Sequence, residues 1–476
     1  MNEFIKSFIY DKADYRKLFI LSTLDNGQKL VSAKTLATKL NCSSRTVTND
    51  ISQLKKELPI GWKVVGIKTK GYILNKPLNE SIYPIVYSYI KKSNIAQIML
   101  DIFTNKHYSL EKWSQLLYIN KLTLKQNLKY HGTFLQKNDL KFKFRPIQLV
   151  GDELKIRHYY HIFFYMKKTI SNSLPSPHDE ILINKLSGIL NFYGITITIQ
   201  ILESIILVFI TRLSYKQYIT EIDTTIFPTN FNSNELECFN RMIIAIENHY
   251  KITLPKSEKT VLQLYFFLAS SSNFEQGKTT IEILKSLEKK HFENYLDFFN
   301  TITTENNIKA SSKNRLFFEL APFYYKSILF SYFKLTREIY FTPLNVIPNE
   351  LLPLYTKNLK LLSFWNANDN IDKLKQHDLE CLVTHATITM RPYIEKTNIL
   401  FLYSGTQAKS KIYYSMLESQ LGDSVELYSN YNDDCSYDFI ITNTPQRNIN
   451  VPIFYISNHL SPQEIDLIKN KIFNEI

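Results

Sequence analysis

Short polar side chains and one guanidinium group gather on one side of a segment that begins at Ser43. In the stretch SSRTVTNDISQLKKEL the apolar residues recur at helical spacing and must pack inward: Val47, Ile51, Leu54 and Leu58. The other side, which includes Ser52, then offers hydroxyl, amide and guanidinium groups. Such groups read base edges in a DNA major groove, and lysines that follow them reach backbone phosphates. We therefore predict DNA contacts by Ser43, Ser44, Arg45, Thr46, Thr48, Asn49, Gln53, Lys55 and Lys56.

The sequence before and after this helix predicts the elements that must position it. Residues 14–24 have helical periodicity, and Ser32 and Ser43 are plausible N-caps of two further helices joined by a tight turn at Asn41 and Cys42. After Pro59 and Gly61, the stretch WKVVGIKTKGYIL alternates like a β-hairpin. This order of parts predicts a winged helix-turn-helix, with a plain helical hairpin as the alternative. The wing adds predicted DNA contacts by Lys68 and Lys70, beside an exposed Lys63.

A second unit of the same kind follows. Residues 109–119 predict one helix, and Asn120 can cap the next, KLTLKQNLKYHGTFLQKN. Its apolar side holds Leu124, Leu128, Leu135 and His131, which we interpret as a core residue because no partner lies at metal-ligand spacing. The exposed side is richer in lysine than the first, which favours contacts to phosphate over contacts to bases. The residues predicted to face DNA here are Thr123, Lys125, Gln126 and Lys129.

Charge and composition support a polyanion as the partner. The chain has 476 residues, 44% hydrophobic residues and a net charge of +13. Residues 1–150 carry about 25 basic against about 10 acidic residues, so the remainder is nearly neutral. This asymmetry predicts a basic DNA-binding arm joined to a neutral body, although a merely solvated basic surface would give the same count.

Other classes of protein are disfavoured by the same sequence. The most apolar stretch, 195–213, is interrupted by charged residues and predicts a buried helix, not a membrane span. The N-terminus has no pattern of an export signal. Four widely spaced cysteines argue against a zinc site and against disulfides. We therefore expect a cytoplasmic protein with no metal and no cofactor.

The remaining chain predicts helices and then a small α/β domain. Amphipathic helices are expected near 179–192, 198–216, 233–250 and 257–270, with more over 279–395, and a β-α-β pattern begins at Asn398. The predicted fold is multidomain and mainly α, with a pair of N-terminal helix-turn-helix units, two helical bundles and a C-terminal domain with a small parallel sheet. The predicted domains are 1–80, 81–170, 171–275, 276–395 and 396–476.

A specific phrase, Gln148-Leu-Val-Gly-Asp-Glu-Leu-Lys-Ile-Arg157, follows the second unit. Two helix-turn-helix units that lead into this phrase resemble the Mga family of transcriptional activators, which includes AtxA-like virulence regulators. We interpret the phrase as a junction in which Asp152 and Glu153 cap a helix that carries Arg157. The resemblance implies two phosphotransferase-system regulation domains and an enzyme IIB-like C-terminal domain. It also implies an activator of virulence or metabolic genes, in contact with phosphocarrier proteins of that system.

The resemblance further implies control by histidine phosphorylation and by oligomerisation. The candidate acceptors are His377, His385 and His178, with His249 as a weaker one. Enzyme IIB domains of this type carry a nucleophilic cysteine after the first strand, where this chain has Tyr403-Ser404-Gly405, and Cys435 lies elsewhere. We therefore expect no enzyme activity, and a C-terminal domain that joins subunits into a dimer or higher oligomer. Two alternatives stay open: an RNA-binding antiterminator and a phosphotransferase component.

Overall fold

The computed structural model forms two compact units, Met1–Phe298 with Phe318–Ala386, and Phe299–Phe317 with Thr387–Ile476. It describes the chain with gaps, and every structural statement below concerns the described residues. These are residues 3–26, 30–68, 70–171, 177–227, 233–271, 274–337, 347–348, 351–368, 373–422, 425–432, 435–446 and 451–474.

The first module is a winged helix-turn-helix. Its helices are α1 (Glu3–Ser7), α2 (Lys12–Asn26), α3 (Ala33–Leu40) and α4 (Ser44–Glu57). Strands β1 (Lys63–Ile67) and β2 (Gly71–Asn75) pair antiparallel as the wing. Ser32 and Ser43 are the N-caps of α3 and α4, as predicted.

The second module repeats this plan after two extra helices. These elements are α5 (Tyr83–Lys91), α6 (Asn94–Phe103), α7 (Leu110–Leu116), α8 (Lys121–Lys137), β3 (Lys141–Phe144) and β4 (Ile147–Val150). The strands again form an antiparallel hairpin. Buried apolar residues of both modules form one continuous core with the next helix, α9 (Glu153–Ser171). The two modules are therefore packed against each other, not strung on a linker.

Helices make up the middle of the chain. They are α10 (Pro177–Phe192), α11 (Ile199–Ser214), α12 (Asn234–Tyr250), α13 (Lys256–Ala269), α14 (Phe274–Ser286), α15 (Lys289–Thr304), α16 (Ala310–Tyr332), α17 (Leu352–Ala367) and α18 (Gln376–Met390). The four helices predicted between 179 and 270 correspond to α10 to α13. The apolar stretch 195–213 belongs mostly to α11, whose buried residues confirm a core helix.

The C-terminal region contains a four-stranded parallel sheet. Its strands are β5 (Thr397–Leu402), β6 (Val425–Tyr428), β7 (Phe439–Thr442) and β8 (Ile453–Tyr455), in the order β6-β5-β7-β8. Helices α19 (Gln407–Leu421) and α20 (Pro462–Asn474) pack with the sheet on a separate apolar core. The predicted fold class is confirmed, and the five domain boundaries stay predictions.

Candidate nucleic-acid interface

The recognition helix of the first module, α4, is fixed by a cap and an apolar stripe. The Ser43 hydroxyl accepts a hydrogen bond from the Thr46 backbone N–H at 3.1 Å, which satisfies one free donor of the first turn. Val47, Ile51 and Leu54 are at most 2% exposed. Because the stripe faces inward, the rest of the helix is presented to solvent.

The predicted base-reading residues lie on that solvent face. The exposed members are Ser43, Ser44, Arg45, Thr48, Asn49, Gln53, Lys55 and Lys56, while Thr46 is half-buried within the cap. The hydroxyl groups of Thr48 and Ser52 donate to helix carbonyl oxygens at 3.0 and 2.9 Å. Within the described ranges, Arg45, Asn49 and Gln53 have no hydrogen bond or ion pair. Their donors and acceptors are therefore available to a ligand.

A buried ion pair that the sequence interpretation missed locks α4 onto α2. Asp50 is 4% exposed and accepts from the Arg16 guanidinium through both carboxylate oxygens, at 2.6 and 3.1 Å. The hydrogen bond to Asp50 raises the pKa of Arg16. The signal was present, because position 50 falls on the same helical face as Val47 and Leu54.

A second anchor lies at the end of α4. Lys17 donates to Glu57 at 2.8 Å and pairs with Asp14 at 2.9 Å, and the Tyr89 hydroxyl also donates to Glu57. Burial opposes ionisation of Glu57, but hydrogen bonds from Lys17 and Tyr89 hold its pKa below the ordinary value. These contacts tie α4 to α2 and to α5, so the exposed face has a rigid support.

The wing is tied to the chain that precedes α3. The backbone groups of Val31 and Tyr72 exchange hydrogen bonds at 2.9 Å in both directions. Gly71 has φ +129°, and a Cβ atom there would lie 2.5 Å from the Val31 carbonyl oxygen, so only glycine fits. Lys63, Lys68 and Lys70 are all exposed on this hairpin.

Helix α8 presents the second face. The Asn120 side chain accepts from the Leu122 backbone N–H at 2.8 Å, and the buried stripe is Leu124, Leu128, His131 and Leu135. Thr123, Lys125, Gln126 and Lys129 are exposed. Gln126 also accepts from the Tyr10 hydroxyl at 3.3 Å, which links α8 to the first module. In the adjoining hairpin, Lys141, Lys143 and Arg145 are exposed.

His131 lies in the core, as predicted. It is 0% exposed, its Nε2 lies 2.9 Å from the Tyr159 hydroxyl oxygen, and its Nδ1 lies 3.3 Å from the Ser7 carbonyl oxygen. Burial lowers its pKa to about 4. The imidazole is therefore neutral near pH 7 and has a structural role.

The junction phrase contains a buried charge network. Asp152 caps α9 through the Lys155 N–H at 3.2 Å, but Glu153 does not share this role, because it pairs with Arg157 and Arg212 instead. Arg157 is 0% exposed and donates to both carboxylate oxygens of Glu258 in α13, at 2.5 and 2.9 Å. The prediction of a joint Asp-Glu cap was therefore wrong for Glu153, since arginines compete for its carboxylate. The phrase connects the two helix-turn-helix modules to the helical body.

The candidate phosphorylation sites have different surroundings. His377 is exposed near the start of α18. His385 lies further along α18. Its ring stacks on Phe323 with 4.7 Å between the ring centroids, and burial lowers its pKa to about 4. His249 is half-buried in the last turn of α12. The side chain of His178 is outside the described residues.

In the C-terminal domain, side chains fix the loop after β5. Asn443 accepts from the Ser404 N–H at 2.8 Å and donates to the Ser404 carbonyl oxygen at 2.9 Å. Cys435 is half-buried in a different loop, before β7.

Among described residues, no group of three His, Cys, Asp or Glu side chains is placed to hold a metal ion. None of the described helices has the length and apolar character needed to cross a membrane.

Comparisons with known proteins match both N-terminal modules. The Mga helix-turn-helix domain matches residues 78–164, and an HTH domain matches residues 16–73. Capsule synthesis positive regulator AcpB of Bacillus anthracis is 19% identical over 465 residues, which are 93% of this chain and 95% of that protein. The anthrax toxin expression trans-acting positive regulator of the same organism is 24% identical over 290 residues, 58% and 59% of the two chains. A putative trans-acting regulator of Streptococcus pneumoniae serotype 4 is 21% identical over 475 residues, 91% and 92% of the two chains.

Proposed function

We propose that this chain, which belongs to the Mga family of helix-turn-helix regulators, binds duplex DNA and activates transcription from the promoters it occupies. One observation carries the proposal most directly. Arg45 and Asn49 are exposed and unengaged on a capped helix whose other face is buried. The two Bacillus anthracis relatives named above are described as positive regulators, which supports activation over repression.

Electrostatics supports the same ligand. Lys55 and Lys56 extend the α4 face, and Lys68 and Lys70 extend the wing. Exposed lysines on α8 and the second hairpin add a further basic face. Neutralising phosphates with these groups would release counterions, so binding should weaken steeply as salt rises.

The test uses the full-length chain and a duplex enriched from a random pool by binding to it, with a scrambled duplex for comparison. Arg45→Ala or Asn49→Ala should weaken binding to the enriched duplex by about 1–3 kcal/mol, with little change on the scrambled one. Lys55→Ala is the matched control, since loss of a phosphate contact should weaken both and reduce the salt slope by about 1. Gel-shift titrations over a salt series measure both quantities.

Two outcomes would contradict the proposal. If Arg45→Ala and Asn49→Ala both bind the enriched duplex as tightly as the parent chain, α4 is not the recognition helix. If structured RNA hairpins compete for the chain better than the enriched duplex, the antiterminator alternative is favoured instead.

Regulation by phosphorylation is part of the proposal. The exposed His377 is the more accessible acceptor in α18, and a phosphate there would add nearly two negative charges to a helix face. Intact-mass measurement after incubation with the general phosphotransferase proteins tests this, with an unmodified chain as the contrary result.

The C-terminal domain is proposed to join subunits. The loop at Tyr403-Ser404-Gly405 lacks a thiol nucleophile, so a contact role fits this domain better than phosphoryl transfer, and we propose no catalytic activity. The paired DNA-binding modules of a dimer would raise the avidity for a DNA target with two sites. We expect the protein to act in the cytoplasm, where promoters lie. Light scattering of chains with and without residues after 392 tests the contact.

A further inference from the structure

The two recognition helices can be aligned residue by residue. The N-caps Ser43 and Asn120 correspond, and each is followed after four residues by a buried apolar side chain, Val47 or Leu124. Two residues before each cap, the chain turns through a left-handed residue: Asn41 has φ 49° and Tyr118 has φ 50°. The same backbone plan therefore fixes equivalent positions on α4 and α8.

In this register Leu122 stands where α4 has Arg45. Leu122 is the second residue of α8 and 65% exposed. A single exposed leucine is ordinary on a protein surface. This leucine, however, occupies the position at which helix-turn-helix proteins approach the bases, between the exposed Lys121 and Thr123.

Tyr118 supplies an independent observation. The left-handed conformation suits asparagine or glycine, and it is unfavourable for a bulky aromatic residue. Tyr118 adopts it while 98% exposed, so no burial of its ring within the described structure compensates for the strain. Leu116, at 45%, is also exposed nearby in the chain. Strain and exposed apolar area at one turn indicate a surface that a partner covers.

The surrounding charge identifies the partner. Lys125 and Lys129 are exposed on the same helix, and Lys143 and Arg145 on the following hairpin. Exposed apolar side chains such as Leu122 and Tyr118 within a basic surface fit a polyanion that also offers apolar groups. In the DNA major groove the apolar group on a base is the thymine methyl.

We propose that Leu122 covers thymine methyl groups in the major groove, with Tyr118 as a second apolar contact on the same duplex. The second module then distinguishes thymine from other bases by apolar contact, whereas α4 uses hydrogen bonds. This inference rests on the proposed function and adds the base class that the second helix prefers.

The test removes the methyl group from the DNA. The full-length chain is titrated with an AT-rich duplex synthesised with thymine and with the same duplex containing uracil, using fluorescence anisotropy. The parent chain should bind the thymine duplex more tightly, by about fourfold for each methyl group that is covered. Leu122→Ala should bring the thymine-to-uracil affinity ratio close to one, and Leu122→Met should retain it.

Controls separate this contact from its neighbours. Leu352→Ala, which removes an exposed leucine of α17, should keep the ratio. Arg45→Ala should affect the thymine and uracil duplexes equally and so also keep the ratio. Circular dichroism establishes that each variant is folded, which is expected because the substituted side chains are exposed.

The outcomes are distinguishable. A Leu122→Ala chain that retains the full ratio overturns the inference while leaving DNA binding intact. A parent chain that binds neither duplex overturns the proposed function itself. A Leu122→Ala chain that keeps its DNA affinities but loses self-association in light scattering also overturns the inference, because it assigns the leucine to a second copy of the chain.

Discussion

Helices α4 and α8 share a scaffold but are built for different contacts. Both begin at a polar cap after a left-handed residue, and both bury an apolar stripe. The exposed face of α4 carries short polar side chains, and the Asp50–Arg16 ion pair supports the helix rigidly. The face of α8 is lysine-rich, and its support is a core that contains His131. The comparison shows that cap and stripe fix the helix, while the outer face is free to diverge.

This difference suggests a division of work between the modules. Hydrogen-bonding groups on α4 suit the choice of a base sequence, whereas the lysines of α8 suit affinity for any duplex. The supports differ in chemistry as well: one depends on an ion pair and the other on a neutral imidazole. Changes of pH, substitutions of the supporting residues and changes of salt concentration should therefore affect the two modules unequally.

Acid should produce the largest difference. His131 has a folded-state pKa of about 4, below that of an exposed histidine near 6.5. Between these values the unfolded chain binds a proton that the folded chain does not, so stability falls as pH falls through this window. The loss should reach about 3 kcal/mol at the lower end. His131→Leu, which copies Leu54 of α4, should remove this part of the pH dependence.

Denaturant unfolding of both chains at several pH values measures the effect. Other buried histidines titrate in both chains, so the difference between the two curves isolates His131. Parallel curves for the parent and His131→Leu chains would show that the imidazole is not the acid-sensitive element of the second module.

Removal of the ion pair should have the next largest effect. Asp50→Ala leaves the Arg16 guanidinium, whose side chain is 21% exposed, without its carboxylate. We expect a loss of about 2 kcal/mol, less than for a fully buried pair because water can reach Arg16. The matched change on α8 is Asn127→Ala at the half-buried equivalent position, with an expected loss under about 1 kcal/mol. Thermal unfolding compares them, and equal losses would refute the proposed difference in support.

Substitution of lysines should have the smallest effect. A Lys125→Ala, Lys129→Ala double variant should reduce the salt slope of DNA binding by about 2 and leave the preference for the enriched duplex unchanged. Filter binding over a salt series gives both values. A change in sequence preference would mean that these lysines contact bases and not phosphates.

Local patterns predicted the scaffold well. Ser32, Ser43 and Asn120 were identified as caps, and both apolar stripes were identified from spacing alone. Such features depend on residues within a few positions of each other, which periodicity reports directly.

Long-range partners were not predictable in the same way. Periodicity shows that Asp50 falls near the buried face but does not identify Arg16, and it places Gln126 outward without revealing Tyr10. Glu153 was predicted as a cap because its position at the start of α9 suits one. Its pair with Arg157 is a local contact within α9, but its pair with Arg212 depends on how α9 and α11 pack.

The ion pair between Arg157 and Glu258 limits how this chain can be divided. The guanidinium and the carboxylate are both 0% exposed, and they lie 101 residues apart in the sequence. A fragment that stops before α13 would remove Glu258, the fully buried partner of Arg157, and leave Glu153 as the only ion-pair partner of this arginine among the described residues, which is costlier than losing an exposed contact. The two helix-turn-helix modules and α9 therefore cannot be separated from the helical body without breaking this ion pair. A chimaera that exchanges the helical body for that of a relative must transfer this arginine and glutamate together.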